Sequence, residues 1–69
     1  MYQIVLRNKS SFRVCNELGQ TVRSFSVDGD IQGYQVCENT GYVSVRKGII
    51  TKNCIYNLER GVLEKTFNI

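Results

Sequence analysis

Two tyrosines and a basic pair are the residues of this chain whose types and spacing best suit binding. Tyr34 and Tyr42 lie eight positions apart, and Arg46 and Lys47 follow the second tyrosine after three residues. Aromatic rings with flanking cations resemble in kind the surfaces on which small β proteins stack single-stranded nucleic acids. These four residues are therefore the candidate binding residues, for nucleic acid or for a protein or small-molecule partner of unknown identity. The alternative is that the tyrosines simply pack within a sheet.

The composition does not suggest a catalytic or metal-binding group. The sequence contains no histidine, and its three cysteines, Cys15, Cys37 and Cys54, form no CxxC pair. We therefore predict neither a zinc site nor a general base that titrates near neutral pH. Asp28 and Asp30 flank a glycine, which is typical of a solvated turn. We expect a non-enzymatic protein with no catalytic residue, no cofactor, no metal and three free thiols.

The size and charge of the chain restrict its class. It has 69 residues and a formal net charge of +3, with the basic residues dispersed along the chain. No apolar run is long enough to cross a bilayer, and the N-terminus lacks a signal-type apolar run, so we predict a cytoplasmic protein without membrane contact. A domain of this size buries only roughly 60% of its unfolded surface. We therefore expect additional support from association with other copies of the chain.

The hydrophobic pattern predicts a single all-β domain over residues 1–69. Proline is absent, and six glycines separate short stretches rich in Val, Ile, Tyr, Phe and Thr. This pattern is typical of an antiparallel meander. We predict about seven short strands, over residues 2–7, 12–16, 21–27, 31–38, 42–46, 54–58 and 62–69, with residues 49–51 extending a neighbouring strand.

The chain also contains an internal repeat with an offset of 42 residues. The main matched pairs are Glu17 with Glu59, Gly19 with Gly61, Arg23 with Lys65, Phe25 with Phe67, and Val27 with Ile69. A period in this range is the length of a four-stranded propeller blade. We predict two blade-like units, residues 2–27 and 31–69, of which the first lacks its innermost strand. Equivalent positions predict equal burial of Phe25 and Phe67, whereas a chance similarity predicts that one is buried and the other exposed.

Part of the second unit resembles a known family. The segment Cys54-Ile-Tyr-Asn-Leu-Glu-Arg-Gly-Val-Leu-Glu-Lys-Thr-Phe67, preceded by Gly41-Tyr-Val-Ser-Val-Arg46, resembles the later strands of a WD40-type or related β-propeller blade. The resemblance covers most of residues 31–69 and, more weakly, residues 2–27. It implies a sheet in which an inner strand leads into three outer strands. Arg23 and Lys65 would then lie on outermost strands, where a basic side chain reaches solvent and discourages edge pairing.

Two functions remain open at this stage. Two blade-like units are too few to close a propeller and leave open sheet edges. We therefore expect a self-associating β interaction module that forms a propeller-like homo-oligomer. Asp28-Gly29 is alternatively a tight-hairpin dipeptide, and a direct hairpin there would continue the meander into a closed barrel. Such a small basic β-barrel is the alternative candidate, as a binder of single-stranded nucleic acid.

Overall fold

A computed structural model describes residues 1–68 as seven strands. The strands are β1 (Gln3–Asn8), β2 (Ser11–Cys15), β3 (Thr21–Ser26), β4 (Asp30–Cys37), β5 (Thr40–Lys47), β6 (Ile50–Asn57) and β7 (Val62–Asn68). Sheet A has the order β1-β2-β3, sheet B has the order β4-β5-β6-β7, and all pairings are antiparallel. The predicted all-β meander of seven strands is confirmed. Ile69, the predicted end of the last strand and the repeat partner of Val27, lies outside the described residues.

The sixth strand differs most from its predicted bounds, because it begins at Ile50 and not at Cys54. Gly48 has a positive φ of 65° and allows a tight turn after β5, so that Lys47 pairs directly with Ile50. The polar residue Lys52 interrupts the apolar alternation in the first half of β6. Hydrophobic periodicity therefore misses a segment that strand pairing holds in place. The described residues contain no helix that is long and apolar enough to cross a membrane.

The hydrophobic core lies between the facing sides of the two sheets. Alternation along β2 and β5 directs Phe12 and Val14 from sheet A, and Val43 and Val45 from sheet B, into this space, where all four are at most 1% exposed. Burial of a large apolar side chain contributes roughly 1.5–3 kcal/mol relative to leaving it in water. The remaining members of the buried cluster are Ile4, Cys54, Tyr56 and Leu58.

The connection between β3 and β4 crosses from one sheet to the other. The backbone N–H of Ile31 donates to the carbonyl of Lys9 at 2.6 Å, which ties the start of β4 to the β1–β2 turn. Gly29 adopts a φ of 140°, and a Cβ at this position would lie 2.6 Å from the carbonyl oxygen of Arg46. Glycine alone fits this crossing without displacement. Because β3 and β4 belong to different sheets, the alternative of a direct hairpin at Asp28-Gly29 and a continuous barrel is wrong.

The two glycines that the repeat pairs both lie in connecting turns. Gly19 follows β2 with a φ of 81°, and Gly61 follows β6 with a φ of 72°. Residues with a Cβ rarely adopt this left-handed conformation. The repeated glycine therefore has the same conformational role in both hairpins.

The expected equal burial of Phe25 and Phe67 is wrong. Phe25 is partly buried against the core, whereas Phe67 is 45% exposed. The strand register explains the difference. Phe25 pairs with the buried Phe12 on the side of sheet A that sheet B covers, while Phe67 pairs with Asn53 on the side of sheet B that faces away from sheet A. Unequal burial is the outcome expected of a chance similarity, and it removes this support for two equivalent blade-like units.

Candidate interaction surface

The two predicted tyrosines border one shallow cleft on sheet B. The cleft has a volume of about 360 Å3 and is lined by Gly33, Tyr34, Gln35, Tyr42, Ser44 and Asn53. Tyr42 points away from the core on β5, and Tyr34 lies on the edge strand β4 opposite Val43. The two tyrosines are 44% and 48% exposed, respectively. Tyr34 pairs with the core-facing Val43, whereas Tyr42 pairs with Gln35. The two side chains therefore leave opposite sides of sheet B, and Tyr42 is the one on the side that faces away from the core.

The basic pair lies at the far end of β5, outside this cleft. The Nε of Arg46 donates to the carbonyl of Gly48 at 3.0 Å. The Nζ of Lys47 lies 2.6 Å from Oδ2 of Asp28, and this hydrogen bond and its charge lower the pKa of the Asp28 carboxyl. Four residues of extended strand place the Cα atoms of Tyr42 and Arg46 about 13 Å apart. The structure thus places both tyrosines at the cleft but on opposite sides of sheet B, and it leaves the two cations outside the cleft.

A larger accessible surface is the side of sheet B that faces away from sheet A, called the outer face of sheet B. Its central residues are Tyr42, Ser44, Asn53, Ile55, Lys65 and Phe67. Tyr42 pairs with Ile55 across β5 and β6, and Asn53 pairs with both Ser44 and Phe67. The hydroxyl of Ser44 lies 2.7 Å from Oδ1 of Asn53 and donates to it. Two exposed aromatic rings thus flank a polar pair whose hydrogen bond is already satisfied within the sheet.

Sequence reasoning did not identify this face. Alternation along β5 predicts that Tyr42 and Ser44 share a side opposite to Val43 and Val45. It does not tell which side of the sheet is covered. The exposure of Phe67 depends on how sheet A lies against sheet B, and no local pattern in β7 encodes that arrangement.

Both sheets end in strands with one unpaired backbone edge. These strands are β1 and β3 in sheet A, and β4 and β7 in sheet B. Every residue of β7 is exposed, including Val62 and Leu63 at 39% and 51%. Open edges with exposed apolar side chains are templates for pairing with another strand. The edges are a second surface through which this chain can contact a partner.

A further cleft, of about 420 Å3, lies where the β2–β3 and β6–β7 turns approach each other. It is lined by Met1, Tyr2, Asn16, Glu17, Leu18, Asn39 and Glu59. Glu17 and Glu59 are partners in the repeat, a signal that sequence reasoning recorded without assigning a cleft to it. The amide of Asn39 donates to Glu59 at 3.0 Å, and the amino group of Met1 donates to Glu17 at 2.5 Å and lowers the pKa of its carboxyl. Both carboxylates already have partners.

The interior of the described chain is apolar. No charged side chain of residues 1–68 is buried, and no group of three or more carboxylates or thiols in them is arranged to hold a metal ion. The three cysteines are free, with Cys15 and Cys54 buried and Cys37 exposed. Burial, with a smaller contribution from Cys54, raises the pKa of Tyr56 to about 12. This phenol therefore stays neutral at neutral pH and packs as an aromatic ring.

Comparison with known proteins gave no relative. No protein-family model, curated protein or solved structure matches this chain. The resemblance of residues 31–69 to a propeller blade therefore depends on their own sequence.

Proposed function

We propose that this protein is a non-enzymatic interaction module that associates with copies of itself into a propeller-like oligomer. The observation that carries this proposal is the outer face of sheet B, where Tyr42 and Phe67 are 44% and 45% exposed on one side of a four-stranded sheet. Aromatic residues are enriched in protein–protein interfaces. Exposed apolar surface of this kind on a small domain is typical of a contact surface.

The difference between the two sheets supports the same proposal. Sheet A has three strands and sheet B has four, so sheet A lacks the strand that would lie beside β1 in a blade of the same size. Leu6, on β1, is 40% exposed. A strand from another copy would satisfy the unpaired backbone groups of β1 and cover this side chain. Association through an open edge would therefore complete the smaller sheet.

The character of the interior supports a non-enzymatic role. The described residues bury no charged side chain, whereas acid–base catalysis commonly relies on buried or closely paired titratable groups with shifted pKa values. Asp28, Glu17 and Glu59 have partners on exposed surfaces. These contacts are typical of surface polar pairs that hold turns in place.

Measurement of the molar mass in solution tests the proposal. Multi-angle light scattering should be recorded over a dilution series that starts at high micromolar concentration. Propellers contain about four to eight blades, so a ring built from chains with two sheets each would contain roughly two to four copies. We expect a mass in that range that falls on dilution. A strict monomer throughout the micromolar range would overturn the proposal.

Binding of single-stranded nucleic acid is the second candidate, and it has less support. The observation in its favour is the exposed ring of Tyr42 beside a cleft, since bases stack on such rings. Against it, Lys47 is paired with Asp28 and Arg46 lies outside the cleft. Binding of a single-stranded RNA that weakens steeply with added salt would favour this candidate, because each phosphate contact releases counterions.

A further inference from the structure

The two hairpins β2–β3 and β6–β7 have the same irregularity at the same place. In the first, the register shifts directly after Val14, which pairs with Arg23. In the second, the register shifts directly after Ile55, which pairs with Lys65. A bulge fixes which residues of a strand lie on which side of the sheet. The bulges therefore match Val14 with Ile55, which is one residue less than the offset of the sequence repeat. On the partner strands, the bulges match Arg23 with Lys65, as the repeat does.

This correspondence tells how the two sheets are stacked. Val14 and Phe25 lie on the side of sheet A that is covered by sheet B. Their counterparts Ile55 and Phe67 lie on the outer face of sheet B. The covered side of sheet A therefore corresponds to the uncovered side of sheet B. Equivalent sides of the two sheets therefore face in the same direction, and the sheets are not related by a two-fold axis.

One contact between the two sheets runs in this same direction, from sheet A to sheet B. The Nη2 of Arg23 donates to the carbonyl of Glu59 at 3.1 Å, and its guanidinium lies directly over Gly61 in the β6–β7 turn. Lys65 is the counterpart of Arg23, and Gly19 is the counterpart of Gly61 in the β2–β3 turn. The space next to Gly19 is open. Within each chain, Arg23 of sheet A thus lies over the β6–β7 turn of sheet B. Their counterparts, Lys65 on sheet B and the uncovered β2–β3 turn of sheet A, lie at opposite ends of the chain.

We propose, on the basis of the self-association proposed above, that a second copy of this chain occupies the outer face of sheet B. It binds with the side of its sheet A that faces away from the core, whose central row is Val5, Arg13 and Ser24. Lys65 of one copy then reaches the β2–β3 turn of the next. Glu17 in that turn is the counterpart of Glu59, whose backbone carbonyl accepts from Arg23, while the Glu17 carboxylate is paired with the Met1 amino group.

This contact is heterologous, because two different surfaces meet. Repetition of a heterologous contact produces a ring where the rotation closes and a filament where it does not. A two-fold contact, in contrast, would join identical surfaces. The two possibilities give different results for variants in which one surface or the other is damaged.

Two exposed positions allow this mixing experiment. Phe67→Lys places a charge on the outer face of sheet B, and Ser24→Lys places a charge on the outward side of sheet A beside Arg13. Ile49→Lys, in the β5–β6 turn, is the matched control, because Ile49 is 95% exposed and lies on neither surface. Circular dichroism checks that all three variants fold, and light scattering gives their masses. We expect Phe67→Lys and Ser24→Lys to be monomeric alone and Ile49→Lys to associate as the unaltered chain does.

The decisive sample is the equimolar mixture of Phe67→Lys and Ser24→Lys. Each variant retains the surface that the other has lost, so we expect a species with the mass of two chains. A mixture that stays monomeric would overturn the head-to-tail contact. A two-fold contact through the outer face of sheet B would leave Ser24→Lys associated on its own, and that result would overturn it as well. Single variants that associate like the unaltered chain would place the contact elsewhere, for example at the open edges, and would also overturn it. If the unaltered chain is itself monomeric, the proposed self-association fails, which is a different result.

Discussion

The rings of Phe25 and Tyr56 lie 4.7 Å apart, centroid to centroid, across the space between the two sheets. Phe12 contacts both rings, each at a centroid distance of 5.3 Å. Aromatic contacts of this kind contribute roughly 0.5–1.5 kcal/mol each in addition to the burial of their area. The three rings join β2 and β3 of sheet A to β6 of sheet B. They are therefore central to holding the smaller sheet against the larger one.

The first prediction compares the two phenylalanines of the repeat. We expect Phe25→Ala to lower the free energy of unfolding by about 3 kcal/mol, because it removes buried ring contacts and leaves a cavity. Phe67→Ala should change it by less than about 1 kcal/mol in the monomer, because that ring is 45% exposed and its removal leaves no cavity. Denaturant unfolding of both variants at low protein concentration measures the difference. Equal effects would contradict the stacking of the sheets described above.

Strand number and turn positions could be predicted because the patterns that encode them are local. The alternation of apolar and polar residues over 42–46 predicts strand β5, and Gly19 and Gly61 predict turns that need a positive φ. The repeat predicts a break at residues 28–30, where the chain crosses between the sheets, whereas the dipeptide Asp28-Gly29 alone suits both a hairpin and a connection between sheets. The close approach of Gly29 to the carbonyl of Arg46 is a tertiary contact, and it becomes visible only once the sheets are placed.

The candidate site was predictable to a smaller extent. The exposure of Tyr42 follows from its alternation with the buried Val43. The ion pair of Lys47 could not be foreseen, because its partner Asp28 is distant in sequence and is brought close by the crossing. The exposure of Phe67 depends on which side of sheet B is covered. Residue type and spacing therefore identified part of the surface, while the stacking of the sheets defined the rest.

The second prediction concerns the glycine at the crossing. We expect Gly29→Ala to destabilise the protein by about 2–3 kcal/mol, because alanine is strained at a φ of 140° and its Cβ would lie 2.6 Å from the backbone oxygen of Arg46. Gly33→Ala is the matched control, since the space around Gly33 is open, and it should cost less than about 1 kcal/mol. Chemical denaturation of both variants provides the comparison. A Gly29→Ala variant as stable as the control would show that the crossing relaxes freely.

The third prediction concerns the ion pair between Lys47 and Asp28. The hydrogen bond and charge of Lys47 lower the pKa of Asp28, so Lys47→Ala should raise that pKa toward its ordinary value. A lowered carboxyl pKa stabilises the fold above the unfolded pKa, and this contribution is lost as the pH falls through the folded pKa. The effect on stability should be small, because both side chains are exposed. Carboxyl chemical shifts followed by NMR during an acid titration report the pKa directly.

The control for this titration is Arg60→Ala, which removes an exposed cation that makes no contact with Asp28 in the described structure. It should leave the Asp28 titration unchanged. An unchanged titration in Lys47→Ala as well would rule out the ion pair in solution. Lys47 would then be free to contact a partner, which would strengthen the nucleic-acid candidate.

The last prediction concerns Tyr56 and alkaline pH. Burial raises the pKa of this phenol from 10.0 to about 12, so the folded state binds its proton more tightly than the unfolded state does. The corresponding stability is fully present below pH 10 and is lost as the pH rises from the unfolded value toward the folded one. Tyr56→Phe removes the titrating group and keeps the ring in contact with Phe12 and Phe25. We therefore expect this variant to lose less stability than the unaltered chain between pH 10 and 12.

Tyr42→Phe is the matched control, because it removes a phenol from the exposed outer face of sheet B and leaves the core intact. Its free energy of unfolding should fall with rising pH as steeply as that of the unaltered chain. Denaturant unfolding at several alkaline pH values, followed by circular dichroism, yields both slopes. If Tyr56→Phe and Tyr42→Phe gave the same slope, the Tyr56 phenol would have to be hydrated in the folded protein. The close contact between its ring and Phe25 would then not exclude water from the space between the sheets.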